Sequence, residues 1–134
     1  MLRKSCGITE CSLAMSAPDY QRILLRRRDF AGRVVATLDA VDAMLLPAQP
    51  FAAPTVACMA TLGQVPGELA ALTRYTAPFD MSGHPTLTLP VAFTPTGLPI
   101  GAQFVGRRLG EPAILRIGRA FQRATEWHRR RPKV

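Results

Sequence analysis

The sequence predicts an α/β fold that is incomplete as it stands, and three observations carry that reading. Residues 17–40 and 111–129 repeat apolar side chains at helical spacing. Residues 86–93 and 100–105 are uncharged and β-rich, as expected of strands covered on both faces. The length of 134 residues, with 48% hydrophobic and 19% charged residues, suits a single packed domain rather than a disordered chain. Three strands in all are few for a sheet buried on both sides, so something further should cover it.

Residues 1–15 show no periodicity and read as a flexible arm. Ser16 followed by Asp19 fits a capping box, with Pro18 in the first turn where its missing N–H costs nothing. The stripe Tyr20, Ile23, Leu24, Ala31, Val34, Val35, Leu38 and Val41 then defines an amphipathic helix, with most of the arginines 22, 26, 27, 28 and 33 off the stripe. Ala43-Met44-Leu45-Leu46, stopped by Pro47, suits a short buried strand. The uncharged, proline-rich residues 47–56 read as an extended loop lying against protein. Pro66-Gly67-Glu68 can open a short helix reaching about Arg74, with Pro66 at its first position.

Asp80-Met81-Ser82-Gly83-His84-Pro85 reads as a turn cluster ahead of the first uncharged strand. Pro90 must sit at an edge or bulge of that strand, or end it. Thr94 to Pro99 is a second turn, with Gly97 free to take a positive φ. The second strand closes at Gly106-Arg107-Arg108. A helix over 111–129 follows, its apolar face formed by Ile114, Leu115, Ile117, Phe121, Ala124 and Trp127, and residues 130–134 form a frayed basic tail.

Composition limits the chemistry. The serines are Ser5, Ser12, Ser16 and Ser82, the lysines Lys4 and Lys133, and the two histidines His84 and His128. A hydrolase built on a Ser activated by an interior base has little to draw on. Ser82 lies near Asp80 and His84, but three triad members within five residues cannot present nucleophile, base and orienter in line. His84 reads as structural and His128 as an exposed helix-end residue. Cys6, Cys11 and Cys58 have neither disulfide-scaffold nor zinc spacing, so free thiols, a reducing cytoplasmic setting and no metal site are expected. Gly97, Gly101 and Gly106 lack the strand–turn–helix setting of a dinucleotide fingerprint, and no cofactor is expected. Residues 1–18 never reach the apolar core of a signal peptide, and no apolar run is long enough to span a bilayer. The net charge of +8 raises the prior for an anionic partner. The arginines ride outer helix faces without aromatic partners, so a solvated face is favoured over nucleic acid. Gln103 is the one polar side chain in its strand, sharing a face with Gly101 and Val105. If buried it must be hydrogen-bonded, to a neighbouring loop or at a cleft wall.

The ordered run Thr76-Ala77-Pro78-Phe79-Asp80-Met81-Ser82-Gly83-His84-Pro85, Leu87-Thr88-Leu89-Pro90 and Gly97-Leu98-Pro99-Ile100-Gly101-Ala102-Gln103-Phe104-Val105-Gly106 closely resembles the C-terminal part of amidase signature enzymes. Glu111 with Ile114-Leu115, and upstream Asp42-Ala43-Met44-Leu45-Leu46-Pro47 with Ala53-Pro54, are similar to that family too. The resemblance covers residues 16–129 and implies a partial amidase-type domain: about three strands and two long amphipathic helices from a larger α/β/α sandwich on a mixed sheet. Asp42, Pro47, Gly83, Pro85, Pro90, Gly97, Pro99, Gly101, Gln103 and Gly106 carry over as scaffold positions.

The family contains amide hydrolases and the A subunit of amidotransferases acting on misacylated tRNA. Its chemistry, as the resemblance implies, uses a Ser nucleophile, a second Ser in a cis peptide and a Lys, with backbone N–H groups as the oxyanion hole. This sequence has no Gly/Ser-rich core stretch and no interior Lys, so no catalytic residue carries over. The expectation is a truncated amidase (broken gene, split subunit or deliberate fragment), inactive alone. It would self-associate or join a complementary amidase N-terminal chain. The rival readings are a scaffold component of an amidase or amidotransferase and a basic RNA-binding module.

Overall fold

The computed structural model describes residues 15–131 except residue 66. The expected arm other than Met15, the last three residues of the expected tail, and Pro66 as a helix opener lie outside the described residues, as do Cys6 and Cys11.

Helix α1 runs Ala17–Asp39, with the Ser16 hydroxyl accepting from the Asp19 N–H at 3.2 Å at its start. Strand β1, Ala43–Pro47, leads into a loop and the short helices α2, Val56–Thr61, and α3, Glu68–Leu72. Helix α4 spans Ala77–Ser82. Strands β2, Thr86–Phe93, and β3, Pro99–Gly106, form a hairpin, followed by helix α5, Glu111–Ala124, and a 3₁₀ turn at Trp127–Arg129.

The sheet is antiparallel in the order β1-β3-β2, so β3 is central. Register places Met44 opposite Val105 and Leu46 opposite Gln103 on one face. There Val34 and Leu38 of α1 and Phe79 of α4 close over Val105, with Phe30, Met44 and Leu46 around them. The opposite face carries Leu87 and Phe104, paired across the hairpin, and belongs to α5. Phe121 meets Phe104 edge-on at 6.2 Å between ring centroids. A Cβ at Gly118 would overlap Leu87, so glycine lets α5 approach the sheet closely. The layers are therefore helix, sheet, helix, and β3 is buried from Ala102 to Gly106.

Several expectations need correction. The segment 43–46 is not a buried strand: β1 is an edge, and Leu45 on its α5 side is 62% exposed because α5 covers only β2 and β3. The first half of the turn cluster at 80–85 is instead the end of helix α4, stopped by Gly83 at φ 71°, where its N–H bonds the Phe79 carbonyl. The last helix ends at Ala124 rather than 129, because Thr125 turns extended and its hydroxyl donates to the Phe121 carbonyl at 2.9 Å. Helix α2 stands where no helix is expected, capped by Thr55, whose hydroxyl accepts from the Cys58 N–H at 3.2 Å. The turn 94–99 forms as expected, with Gly97 at φ 86°. Pro90 sits at a bulge between Pro90 and Ala92.

Candidate functional site

The polar groups closest to the core gather where α1, α4 and the ends of the strands meet. Gln103 follows from β3 being covered on both faces. Its side chain is 1% exposed, and its Nε2 donates to the Tyr75 carbonyl and, at 3.4 Å, to the Pro47 carbonyl. It ties the end of β1 and the segment before α4 to the central strand, which is the loop-bonding alternative anticipated for it.

Ser82 and His84 flank the Gly83 cap and are both buried. His84 Nδ1 lies 2.8 Å from the Ser82 hydroxyl, which also reaches the Phe79 carbonyl at 3.4 Å. Burial first, and the Arg108 guanidinium second, hold the imidazole below its ordinary pKa. A Ser and a neutral His in contact are the start of a nucleophile–base pair, but the third member is missing. Asp80 is exposed, and His84 Nε2 is buried without a partner among the described residues. The hydroxyl instead clasps the last turn of α4, so the pair is structural.

Arg107 holds the other end of α1. Its Nε donates to the Leu38 carbonyl at 3.0 Å, and its Nη2 to the Asp39 and Val41 carbonyls at 3.4 Å each. A guanidinium at a helix C-terminus satisfies free carbonyls and meets the negative end of the dipole. Arg27 donates to the Met81 carbonyl at 2.6 Å and ties α1 to α4. These arginines are not simply a solvated face, and no spacing in the sequence distinguishes them from the arginines that are. Arg130 stacks on Phe93 and Trp127, 5.1 and 5.0 Å from their ring centroids. His128, expected to be exposed, is half-buried in the 3₁₀ turn, where the early end of α5 folds it back.

The other scaffold positions fall around this centre. Asp42 lies exposed just ahead of β1, and Pro47 ends that strand. The Pro85 carbonyl accepts from the Gly106 N–H at 3.0 Å, closing the hairpin base. Pro99 opens β3, and Gly101 faces Ala48 so closely that an added Cβ would stand 3.3 Å from the Ala48 Cβ. A cleft of about 490 Å³ opens there, between the loop Ala48–Ala53 and residues 99–101. A smaller cavity of about 300 Å³ lies beside Leu38, His84, Arg107 and Arg108. Among the described residues no three His, Cys, Asp or Glu side chains could hold a metal ion, and no helix is long and apolar enough to cross a membrane. The Cys58 thiol is free and exposed.

Comparison with known proteins matches residues 5–115 to the family described as Amidase. The Mycobacterium tuberculosis protein named "Putative amidase AmiD" is 42% identical over 120 residues, covering 90% of this chain and 25% of that relative. The A subunit of the glutamyl-tRNA(Gln) amidotransferase of Chloroflexus aurantiacus is 46% identical over 59 residues, covering 44% of this chain and 12% of its own. Among solved structures, an amidase superposes with TM-score 0.70 at 34% identity over 81% of this chain and 25% of its own. A 6-aminohexanoate cyclic dimer hydrolase superposes with TM-score 0.75 at 25% identity over 90% of this chain and 27% of its own. The chain thus spans about a quarter of the length of AmiD and of these two structures.

Proposed function

The chain belongs to the amidase family, and on that premise we propose that it acts as the closing C-terminal piece of an amide hydrolase. In this reading it is a scaffold that completes a Ser/Ser/Lys core supplied by other polypeptide and is inactive alone. One observation carries the reading: among the described residues, the polar side chains around the core are engaged in holding elements together. Ser82 and His84 clasp α4, Gln103 joins three segments, and Arg107 caps α1. Among the described residues no carboxylate bonds the His84–Ser82 pair to complete a nucleophile–base–orienter relay. The lysines, which the family's proton relay needs in the interior, are only Lys4 and Lys133.

The division of labour follows. The missing core would bring the nucleophilic Ser, the bridging Ser and a neutral Lys that draws the proton through the bridging hydroxyl. This chain would hold the sheet and its covering helices in register around them. The substrate class is an amide. A second reading, part of a tRNA-dependent amidotransferase, draws on the identity with the amidotransferase relatives and would add further subunits as partners. An exposed thiol at Cys58 suits the reducing cytosol, where we place the protein.

The test is hydrolysis of a panel of small aliphatic and aromatic amides by the purified chain. The expected result is no turnover above a heat-inactivated control. Turnover that survives repurification would overturn the proposal.

A further inference from the structure

His84 is the one buried ionisable side chain among the described residues, and the fold uses only half of it. Its Nδ1 meets the Ser82 hydroxyl at 2.8 Å, and that hydroxyl reaches on to the Phe79 carbonyl. Its Nε2 bonds nothing among the described residues, on a residue only 6% exposed. A buried nitrogen left without a partner is costly, so a group from outside the chain is expected to complete it.

The surroundings say what kind of group that is. His84 lines the cavity of about 300 Å³ together with Val35, Leu38, Asp39, Arg107 and Arg108. Val35 and Arg108 also line an open groove that follows α1 past Gly32 to Arg33 and Arg28. Four guanidinium groups therefore border one continuous space, against the two carboxylates of Asp29 and Asp39. The ion pairs among the described residues join Arg22 to Asp19 and Arg129 to Glu126, so no carboxylate contact neutralises any of the four. Arg107 is already held by the carbonyls that end α1, and Arg108 is the guanidinium whose field reaches the His84 ring. A water molecule would bond Nε2 and leave these charges as they are. An oxyanion accepts from the imidazole and the guanidinium together.

We propose that this cavity binds a small phosphate-type oxyanion between His84 Nε2 and the Arg108 guanidinium, with Arg28 and Arg33 drawing it along the groove. The bound form closes a chain of donors. Nε2–H donates to the anion, Nδ1–H donates to the Ser82 hydroxyl oxygen, and that hydroxyl donates to the Phe79 carbonyl. His84 is then an imidazolium. The charge of the anion offsets the burial and the Arg108 field that otherwise hold the ring neutral. The site draws on no part of the Ser/Ser/Lys core, so its failure and that of the scaffold reading are separate results.

The experiment titrates the whole chain with inorganic phosphate, with sodium chloride at matched ionic strength as the control. NMR follows the ring resonances of the two histidines. Phosphate should shift the His84 ring saturably, leave His128 unmoved and raise the His84 pKa. Arg108→Gln should weaken binding by about tenfold or more, the scale of one charge-assisted hydrogen bond, while Arg116→Gln on α5 should leave it unchanged. Glycerol phosphate is the second probe. Competition for the same His84 signals supports a site that takes the head of a small monoester, and lack of competition supports one that takes free phosphate. No response of His84, the same response to chloride, or full affinity in Arg108→Gln overturns the proposal. An oligoribonucleotide that shifts His84 at lower concentration than phosphate, and is released by salt, makes a nucleic-acid backbone the occupant and overturns it as well. If Arg108→Gln unfolds, the wild-type response to phosphate against chloride decides.

Discussion

The two halves of the molecule differ: the half richer in apolar residues is the less enclosed one. From α4 to α5 the chain closes on itself: β3 is sandwiched between α1 and α4 on one face and α5 on the other, and its last five residues are buried. From α1 to α3 it does not. Only Val34 and Leu38 of α1 are buried, while Tyr20, Ile23 and Leu25 in its first half are exposed, as are Leu45, Val56 and Leu69 further on. Single exposed apolar residues are ordinary, but a run of them along one half of a domain marks surface shaped for contact. The closed half holds the fold, and the open half is where more protein would belong.

That contrast can be broken or sharpened by substitution. Where the end of α1 packs onto the closed half, Leu38→Ala removes a side chain that is 1% exposed and packed beneath the sheet, and should cost about 2–5 kcal/mol. Denaturant melts read it directly, and a loss under about 1 kcal/mol would mean the core is looser than its burial implies. Gln103→Leu keeps the volume but strips the buried donor from the Tyr75 and Pro47 carbonyls, for about 1–3 kcal/mol. Gln103→Glu at neutral pH should be worse, because it buries a charge that can donate to neither carbonyl. In the open half, Leu45→Lys should change stability by only about ±0.5 kcal/mol, since the side chain is mostly in water. A large loss of stability there would erase the distinction between the halves.

His84 adds a dependence on acid. Its folded pKa is lowered by burial and by Arg108, so the folded state disfavours the protonated ring. The stability held by the neutral ring is therefore fully present above the ordinary histidine pKa. It is lost as pH falls from there through the lowered folded value. Thermal melts should show the wild type weakening over that range, and His84→Asn, which keeps a neutral polar group beside Ser82, should flatten the response. An unchanged slope in the variant would show that His84 is not the group responsible.

How much of this was legible in the sequence follows the range of each signal. The start of α1 is local, Ser16 to Asp19, and reads off directly. The hairpin reads equally well, because uncharged strands flank a turn that needs Gly97. Helices α2 and α4, six residues each, are too short to show a period. In α4 the serine and glycine that suggested a turn are its last residue and its cap. Trp127 keeps helical spacing with Phe121 and Ala124, so nothing in the pattern predicts the break at Thr125. Gln103 stands out as the polar residue of an apolar strand, but its partner Tyr75 lies 28 residues away and is a backbone atom, invisible to any side-chain pattern. The exposure of Leu45 was hidden for the opposite reason. Its apolar run looks the same whether a neighbouring strand covers it within this chain or must come from another.

The most direct test of the account is amide hydrolysis measured in three vessels: this chain alone, the Mycobacterium tuberculosis AmiD polypeptide without the quarter that aligns with this chain, and the two mixed. The account predicts turnover only in the mixture. Turnover by this chain alone would contradict it.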